Sequence, residues 1–436
     1  MPSTTPSKPA KSKPKVKPLI VQKFGGTSVA DAEKIKRVAR IIVDTYEQGS
    51  DVITVVSAMG HDTDHLVDLA RQITDNPSGR EYDALLSTGE MVTTALMALT
   101  IESMGYKAVG LNGQQAGIIT EDLPNRARIL EIDTTKIKHY LDNGYIVIVT
   151  GFQGISSKGD ITTLGRGGSD TSAVALAAAF EAERCDIYTD VRGIFSTDPR
   201  VVPEAVKLDQ VSYIEMMELA RMGAQVLHPR AVELARQADV CLSKRSTFDL
   251  EDPGTMVVGT KTLEKEQSVT GIACDLSQAR VALLDVPDKP GVAAEIFGTL
   301  AEQNISVDMI IQSLAHDAKT NDIAFTLHAD DLKDALRVLG EVKQKIGARE
   351  IKTDEAIAKV SIVGAGMIDK PGIAANLFKS LAEASINIKM ISTSEIKVSC
   401  LVDKDKGHDA VRAIHKTFFP NAKTPEEVLV NVKLGY

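Results

Sequence analysis

"PLIVQKFGGTSVADAEKIKRVARIIVDTYEQGSDVITVVSA", residues 18–58, runs from a strand through a glycine loop and a helix to a second strand. "PLIVQKF" (18–24) and "DVITVVSA" (51–58) are short apolar runs rich in β-branched residues. Between them Ile35, Val38, Ile41 and Ile42 recur at helical spacing, and Gly49 is placed to end the helix. The same alternation continues through "YKAVGL" (106–111), "YIVIVTGF" (145–152) and "CDIYTDV" (185–191). It predicts an α/β domain with a mostly parallel sheet sandwiched by helices. Ligands of such sheets lie beyond the carboxyl ends of the strands. Lys23, Ser57, Gly151 and Asp190 all fall at those ends, within reach of one cleft.

Gly25 and Gly26 allow the backbone to approach a ligand closely, and successive N–H groups can cradle negative oxygens. With Lys23 alongside, that suggests a phosphate. The spacing matches neither G-x-x-x-x-G-K-[ST] nor G-x-G-x-x-G, so a tight turn explains the glycines equally well.

The length of 436 residues favours two or three domains, and 43% hydrophobic with 25% charged residues is the balance of a globular protein. A net charge of −9 argues against a nucleic-acid partner. No uninterrupted apolar run approaches the length of a membrane span. Cys185, Cys241, Cys274 and Cys400 are widely spaced, which fits reduced, packed thiols in a cytoplasmic protein. Residues 1–17, rich in Pro, Ser and Lys, predict a disordered tail.

"TLGRGGSDTSAVALAAAF" (163–180) leads a Gly-rich loop into a small-residue helix, so backbone N–H groups and the helix start face one place. Arg166 offers a planar fork for a carboxylate, and Asp170 attracts an ammonium or a cation. Together they suit a zwitterionic amino acid; alternatively Asp170 caps the helix and Arg166 is its surface partner. "STGEMVTTALMAL" (87–99) places Glu90 at the head of a helix, where dipole pairing alone would account for it. His61 and His65, four apart, lack a third metal ligand, and a polar loop is the simpler reading. "YTDVRGIFSTDPR" (188–200) sets Phe195 near Asp198 and Arg200, as a nucleotide would require, or simply turns at Asp-Pro.

The C-terminal part repeats itself. "DKPGVAAEIFGTLAEQNISVDMI" starts at Asp288, and "DKPGIAANLFKSLAEASINIKMI" starts at Asp369. Each copy predicts a strand, a Pro-Gly turn, an amphipathic helix and a second strand, and two such small units favour pairing with each other. "VGAG" at 363–366 lacks the third glycine of a dinucleotide loop.

In chain order, K-F-G-G-T-S at 23–28, S-T-G-E at 87–90, T-T-L-G-R-G-G-S-D at 162–170, T-D-V-x-G-I-x-x-x-D-P-R at 189–200 and the two repeats resemble the aspartokinases. These are members of the amino-acid kinase fold with two C-terminal ACT-type domains. The resemblance implies a catalytic domain at 18–262 and ACT-type domains at 268–349 and 350–436. It also implies phosphorylation of the side-chain carboxylate of L-aspartate by MgATP, giving 4-phospho-L-aspartate, the first step towards lysine, threonine, methionine and isoleucine. By the same resemblance Lys23, Arg166 and Asp170 are the catalytic set. Ser57, Thr63, Glu90, Arg166, Gly167, Gly168 and Ser169 hold aspartate, with Glu90 facing its ammonium. Lys23, Phe24, Gly25, Gly26, Thr189, Asp190, Phe195 and Arg200 hold ATP. No protein ligand is expected for Mg2+, which ATP oxygens and water would carry. Many members have a lysine where this chain has Gln225, and a neutral side chain cannot replace that charge. The ACT-type repeats imply feedback inhibition by lysine, threonine or both, with Asp288, Gly291, Gln312, Asn387 and Ile388 at the effector positions. They imply a homo-oligomer built through these domains, with or without a shorter regulatory subunit. The rival readings are a kinase of the same fold for glutamate or acetylglutamate, and a catalytically weak amino-acid sensor.

Overall fold

The computed structural model describes residues 17–222, 227–259, 268–314, 320–368 and 370–422. The expectations for the tail, for Gln225 and for Asp369 lie outside them. The chain divides into two compact units, one holding the described residues up to Asp190 with Gln237–Ser243, the other Val191–Arg236 and Lys244 onward.

In the first unit, β1 (Leu19–Phe24), α1 (Ala32–Glu47) and β2 (Asp51–Val56) form where the opening stretch predicts them. Asp31 caps α1 by accepting the Lys34 N–H, and Gly49 leaves the helix at φ +95°. Then come α2 (Asp62–Ile73), α3 (Arg80–Ser103), β3 (Ala108–Leu111), β4 (Ile118–Thr120), β5 (Ile129–Ile132), α4 (Thr135–Asp142), β6 (Ile146–Thr150), β7 (Gln153–Ser156), β8 (Ile161–Thr163), α5 (Gly168–Ala179) and β9 (Arg184–Thr189). The parallel strands run in the order β9-β1-β2-β6-β3. Their register aligns Lys23 with Val55 and Ile187, so β1 sits centrally and its carboxyl end is flanked by two others. Val38 and Ile42 of α1 bury against Val52, Val56, Ile146 and Ile148.

A second sheet, β5-β4-β7-β8, is not foreshadowed in the sequence, because its strands are only three or four residues long. α3 is long and apolar enough to meet the length and composition of a membrane span. Its inward face nevertheless carries buried Asp83 and Glu90, hydrogen-bonded to β8 and to the loop after β2 respectively, as befits a core helix.

The second unit contains β10 (Ile194–Phe195), β11 (Lys207–Leu208), β12 (Gln210–Ser212), α6 (Tyr213–Arg221) and β14 (Thr255–Val258), while α7 (Pro229–Ala238) and β13 (Leu242–Ser246) span the division. It continues with β15 (Gly271–Asp275), β16 (Gln278–Pro287), α8 (Val292–Glu302), β17 (Val307–Leu314), β18 (Thr320–His328), α9 (Leu332–Ile346), β19 (Glu350–Asp354), β20 (Ile357–Val363), α10 (Ile373–Glu383), β21 (Met390–Ser394), β22 (Lys397–Asp403) and α11 (Gly407–Phe418). Both repeats fold as expected into strand, turn, helix and strand, and Gly291 and Gly372 begin their helices at φ +95° and +92°.

The boundaries differ from the expected ones. Strand β15, expected to open the first ACT-type domain, pairs with β20 in the sheet β15-β20-β22-β21. Strand β19, expected to open the second, closes the sheet β17-β18-β16-β19 through Arg280↔Asp354. The first repeat is thus nested between the first two strands of the second. Each sheet buries one face under its helices, with Phe325 and Leu339 in one core and Val360, Leu377 and Ile414 in the other. The two sheets meet through Met309, Ile357, Met390 and Leu401.

Candidate active site

Lys23 leaves the end of β1 and is only 8% exposed. Its Nζ lies 2.6 Å from Asp170 Oδ1. Asp170 is the third residue of α5, whose N-cap is Gly167 at φ +69°, so its carboxylate serves Lys23 rather than capping the helix. Tyr188 O accepts the Gly25 N–H at 3.2 Å, so Gly25 supplies close approach to Lys23 rather than the free donor expected of it. Gly26 is required by packing, since a Cβ there would lie 2.9 Å from Ala58 O.

Glu90 is 3% exposed and sits inside α3, not at its head. The helix begins ten residues earlier. Gly89, which looks like a boundary, lets the helix touch the loop after β2, since a Cβ there would be 2.8 Å from that of Ala58. Glu90 Oε1 accepts the Ala58 N–H at 3.2 Å, while buried Oε2 has no hydrogen-bond partner among the described residues. Burial pushes the carboxyl up to about 7, against an opposing pull from the hydrogen bond and from Lys23. An unpartnered buried acid of this kind is suited to a cationic ligand group.

Gly151 and Ser169 touch: a Cβ on Gly151 would fall 2.6 Å from Ser169 Oγ. Gly168 packs as closely on Phe152, which fixes the start of α5. Ser57 follows β2 with its N–H donated to Phe24 O, and half-buried Thr63 lies in the first turn of α2. Arg166 is exposed and has no ion-pair partner among the described residues. Phe24 corrects an expectation: its ring is fully buried, stacked on Tyr188 at 4.7 Å, so only its backbone can reach a ligand. Thr189 and Asp190 end the strand beside β1. Phe195 and Arg200 belong to the second unit, where Arg200 grips Asp198 at 2.7 Å. His61 is exposed and pairs with Asp64 at 3.1 Å at the start of α2.

The model of the amino acid kinase family matches residues 18–242, and ACT domain models match 280–347 and 360–418. Aspartokinases of Bacillus sp. (strain MGA3) and of Geobacillus stearothermophilus are each 50% identical over 400 residues, covering 92% of this chain and 97% of theirs. The chain belongs to the aspartokinases. Escherichia coli aspartokinase III, solved in complex with aspartate and ADP, is 29% identical with a TM-score of 0.79, covering 92% of this chain and 100% of that one. As a member of this family the chain is a kinase, a phosphotransferase with an amino acid kinase domain and two ACT domains.

Two residues of this aspartokinase escaped the sequence reading. Asp83, fully buried in α3, accepts the N–H groups of Asn125 and Thr163 and the Thr163 hydroxyl, at 2.7–3.0 Å. It thereby holds the strand that leads into the Gly-rich loop, and burial raises its carboxyl above the usual range. Gln153 ties Ser87 O of α3 to β7 at 2.9 Å. Asp83 looks like an ordinary first-turn acid beside Arg80 and Glu81, and Gln153 like a neutral loop residue between Gly151 and Gly154, so neither gave a local signal of its distant partner. Of the expected effector positions, Asp288, Gly291, Gln312 and Asn387 are exposed and Ile388 is half-buried.

Proposed function

We propose that this aspartokinase transfers the γ-phosphoryl group of ATP to the side-chain carboxylate of L-aspartate, giving 4-phospho-L-aspartate and ADP. The acceptor is already ionised at neutral pH, so no general base is required. A carboxylate oxygen attacks the γ-phosphorus, the bond to the β,γ-bridging oxygen breaks, and no proton moves. The obstacle is repulsion between two anions, which positioning and positive charge must offset. Lys23 supplies that charge, and the observation that carries the reading is its buried ammonium held by Asp170 beside the glycine loop. Glu90 Oε2 receives the substrate ammonium, Arg166 a carboxylate, and Ser57, Thr63, Gly167, Gly168 and Ser169 complete the aspartate contacts.

Gly25, Gly26, the Phe24 backbone, Thr189, Asp190, Phe195 and Arg200 serve the nucleotide. Mg2+ would arrive on ATP oxygens and water. Incubation with MgATP, aspartate and hydroxylamine should yield aspartyl hydroxamate. Turnover with glutamate or acetylglutamate but not aspartate would refute the assignment.

In the same proposal the product enters the route to lysine, threonine, methionine and isoleucine. The ACT domains then bind lysine, threonine or both as inhibitors, through Asp288, Gly291, Gln312, Asn387 and Ile388. Escherichia coli aspartokinase III, crystallised with lysine and aspartate, supports this, at 28% identity and a TM-score of 0.70. Assembly would proceed through the ACT domains, as a homo-oligomer or with a shorter regulatory chain, in the cytoplasm. Assays with lysine and threonine, singly and together, decide the effector.

A further inference from the structure

The segment carrying Phe195 and Arg200 has little core of its own. Phe195 pairs with Lys207 in the two-residue ladder of β10 and β11. Beyond it Val202 is buried, and Val201 and Val206 packed, in the hydrophobic core formed by β20, β22, α10 and α11 of the second ACT domain. Arg412 of α11 donates to Val201 O at 3.2 Å.

Ser196, directly after Phe195, is fully buried and uses every polar group it has. Its N–H goes to Val206 O at 2.8 Å, and its carbonyl accepts the Ile272 N–H of β15 at 2.7 Å. Its hydroxyl accepts the Val206 N–H at 2.8 Å and meets His415 Nε2 of α11 at 3.0 Å. Two of these bonds hold the segment to itself, and two tie it to the second ACT domain.

His415 is 3% exposed and stacks on Phe419 with ring centroids 4.8 Å apart. Burial lowers its basicity, which keeps the ring neutral at physiological pH and its bond to Ser196 a neutral one.

We propose that His415 is a positioning residue for the nucleotide: through Ser196 it fixes the segment bearing Phe195 and Arg200, so the second ACT domain is a structural part of the ATP-binding machinery. The proposal rests on the nucleotide role given above to Phe195 and Arg200. It assigns His415 no contact with ATP.

Steady-state kinetics on the full chain test this. Replacing His415 by Leu leaves the buried Ser196 hydroxyl with the Val206 N–H but without its second partner, a change of the order of tenfold in an equilibrium constant. His415→Leu should raise KM for ATP about tenfold and leave KM for aspartate within twofold, with His415→Gln recovering part of the loss. Ser196→Ala, which removes only a hydroxyl, should reproduce the split if His415→Leu does not fold, and Ser196→Thr should preserve it at the wild-type value. An unchanged KM for ATP in a folded Ser196→Ala or His415→Leu protein overturns the proposal, as does an equal rise in both KM values. Phe195→Ala separates this from failure of the underlying reading. If it raises KM for ATP while the His415 variants do not, only the positioning role falls. If it too is silent, the nucleotide role of the segment falls with it.

Discussion

Lys23 and Asp170 are 147 residues apart in sequence, yet their charged atoms lie 2.6 Å apart with side chains only 11% and 14% exposed. The pair holds the lysine ammonium extended from the end of β1, against a helix start already fixed by Gly168 and Phe152. Preorganised charge of this kind needs no rearrangement when negative charge spreads over a transferring phosphoryl group. Lys23→Ala should therefore lower kcat by about 10²–10³-fold, measured as hydroxamate formation. A variant retaining wild-type turnover would remove the lysine from the chemistry.

The Glu90 carboxyl stands at about 7 instead of its ordinary 4.5, chiefly because it is buried. Between those values the folded protein holds a proton that the unfolded chain has released. Stability is therefore greatest below pH 4.5 as far as this group is concerned, and falls as pH rises to 7, by about 3 kcal/mol. Urea unfolding across this range should show a shallower pH dependence in Glu90→Gln. A substrate ammonium favours the ionised form, so aspartate KM should fall as pH rises through 7 in the wild type and stay flat in the variant.

Gly151 has no room for a methyl group, because its Cβ would sit 2.6 Å from Ser169 Oγ and 2.7 Å from Ser169 Cβ. Gly151→Ala should push the start of α5 away from β6. Overpacking of this kind costs about 1–3 kcal/mol, readable by thermal unfolding. The accompanying rise in aspartate KM should be larger than the rise in ATP KM, since Ser169 is on the amino-acid side of the proposed site.

Where the two ACT sheets meet, Lys359 is 2% exposed and its Nζ pairs with Asp308 at 2.6 Å, while Asp308 is 39% exposed. The two partners should respond unequally to removal. Asp308→Ala strands an ammonium away from water and should cost about 3–5 kcal/mol. Lys359→Met instead frees a carboxylate that water can reach and adds an apolar chain to the Met309, Ile357, Met390 and Leu401 cluster, so it should change stability by less than about 1 kcal/mol. Denaturant titration of both variants checks the asymmetry.

Local chemistry made much of this legible in advance. The spacing of Ile35, Val38, Ile41 and Ile42 fixed α1, and the β-branched runs fixed the parallel strands, because one buried face imposes one period. The Lys23 and Asp170 residue types were visible too, but their pairing was not, since it depends on how β1 and α5 meet in space. Residues 87–99 alone suggest a helix head at Glu90, whereas the helix starts at Arg80 and runs through Gly89, where close approach to Ala58 demands a glycine. The expected bounds 268–349 and 350–436 separate β15 from β20 and β19 from β16, because a five-residue strand carries no mark of which neighbour it will choose. Asp83 went unnoticed because its partners, Asn125 and Thr163, are separated from it by 42 and 80 residues.

That exchange of partners makes the first ACT repeat a guest lodged inside its twin. Its entry and exit, Arg280 and Asp354, are direct neighbours, so excising residues 278–354 and rejoining the cut ends should leave the host sheet whole. The reverse operation fails. A protein begun at residue 350, where the sequence suggests a seam, would lack β15 and leave β20, buried along its entire length, as a naked rim open to any passing strand. A fragment that keeps the sheet built on β20 therefore has to start ahead of Gly271.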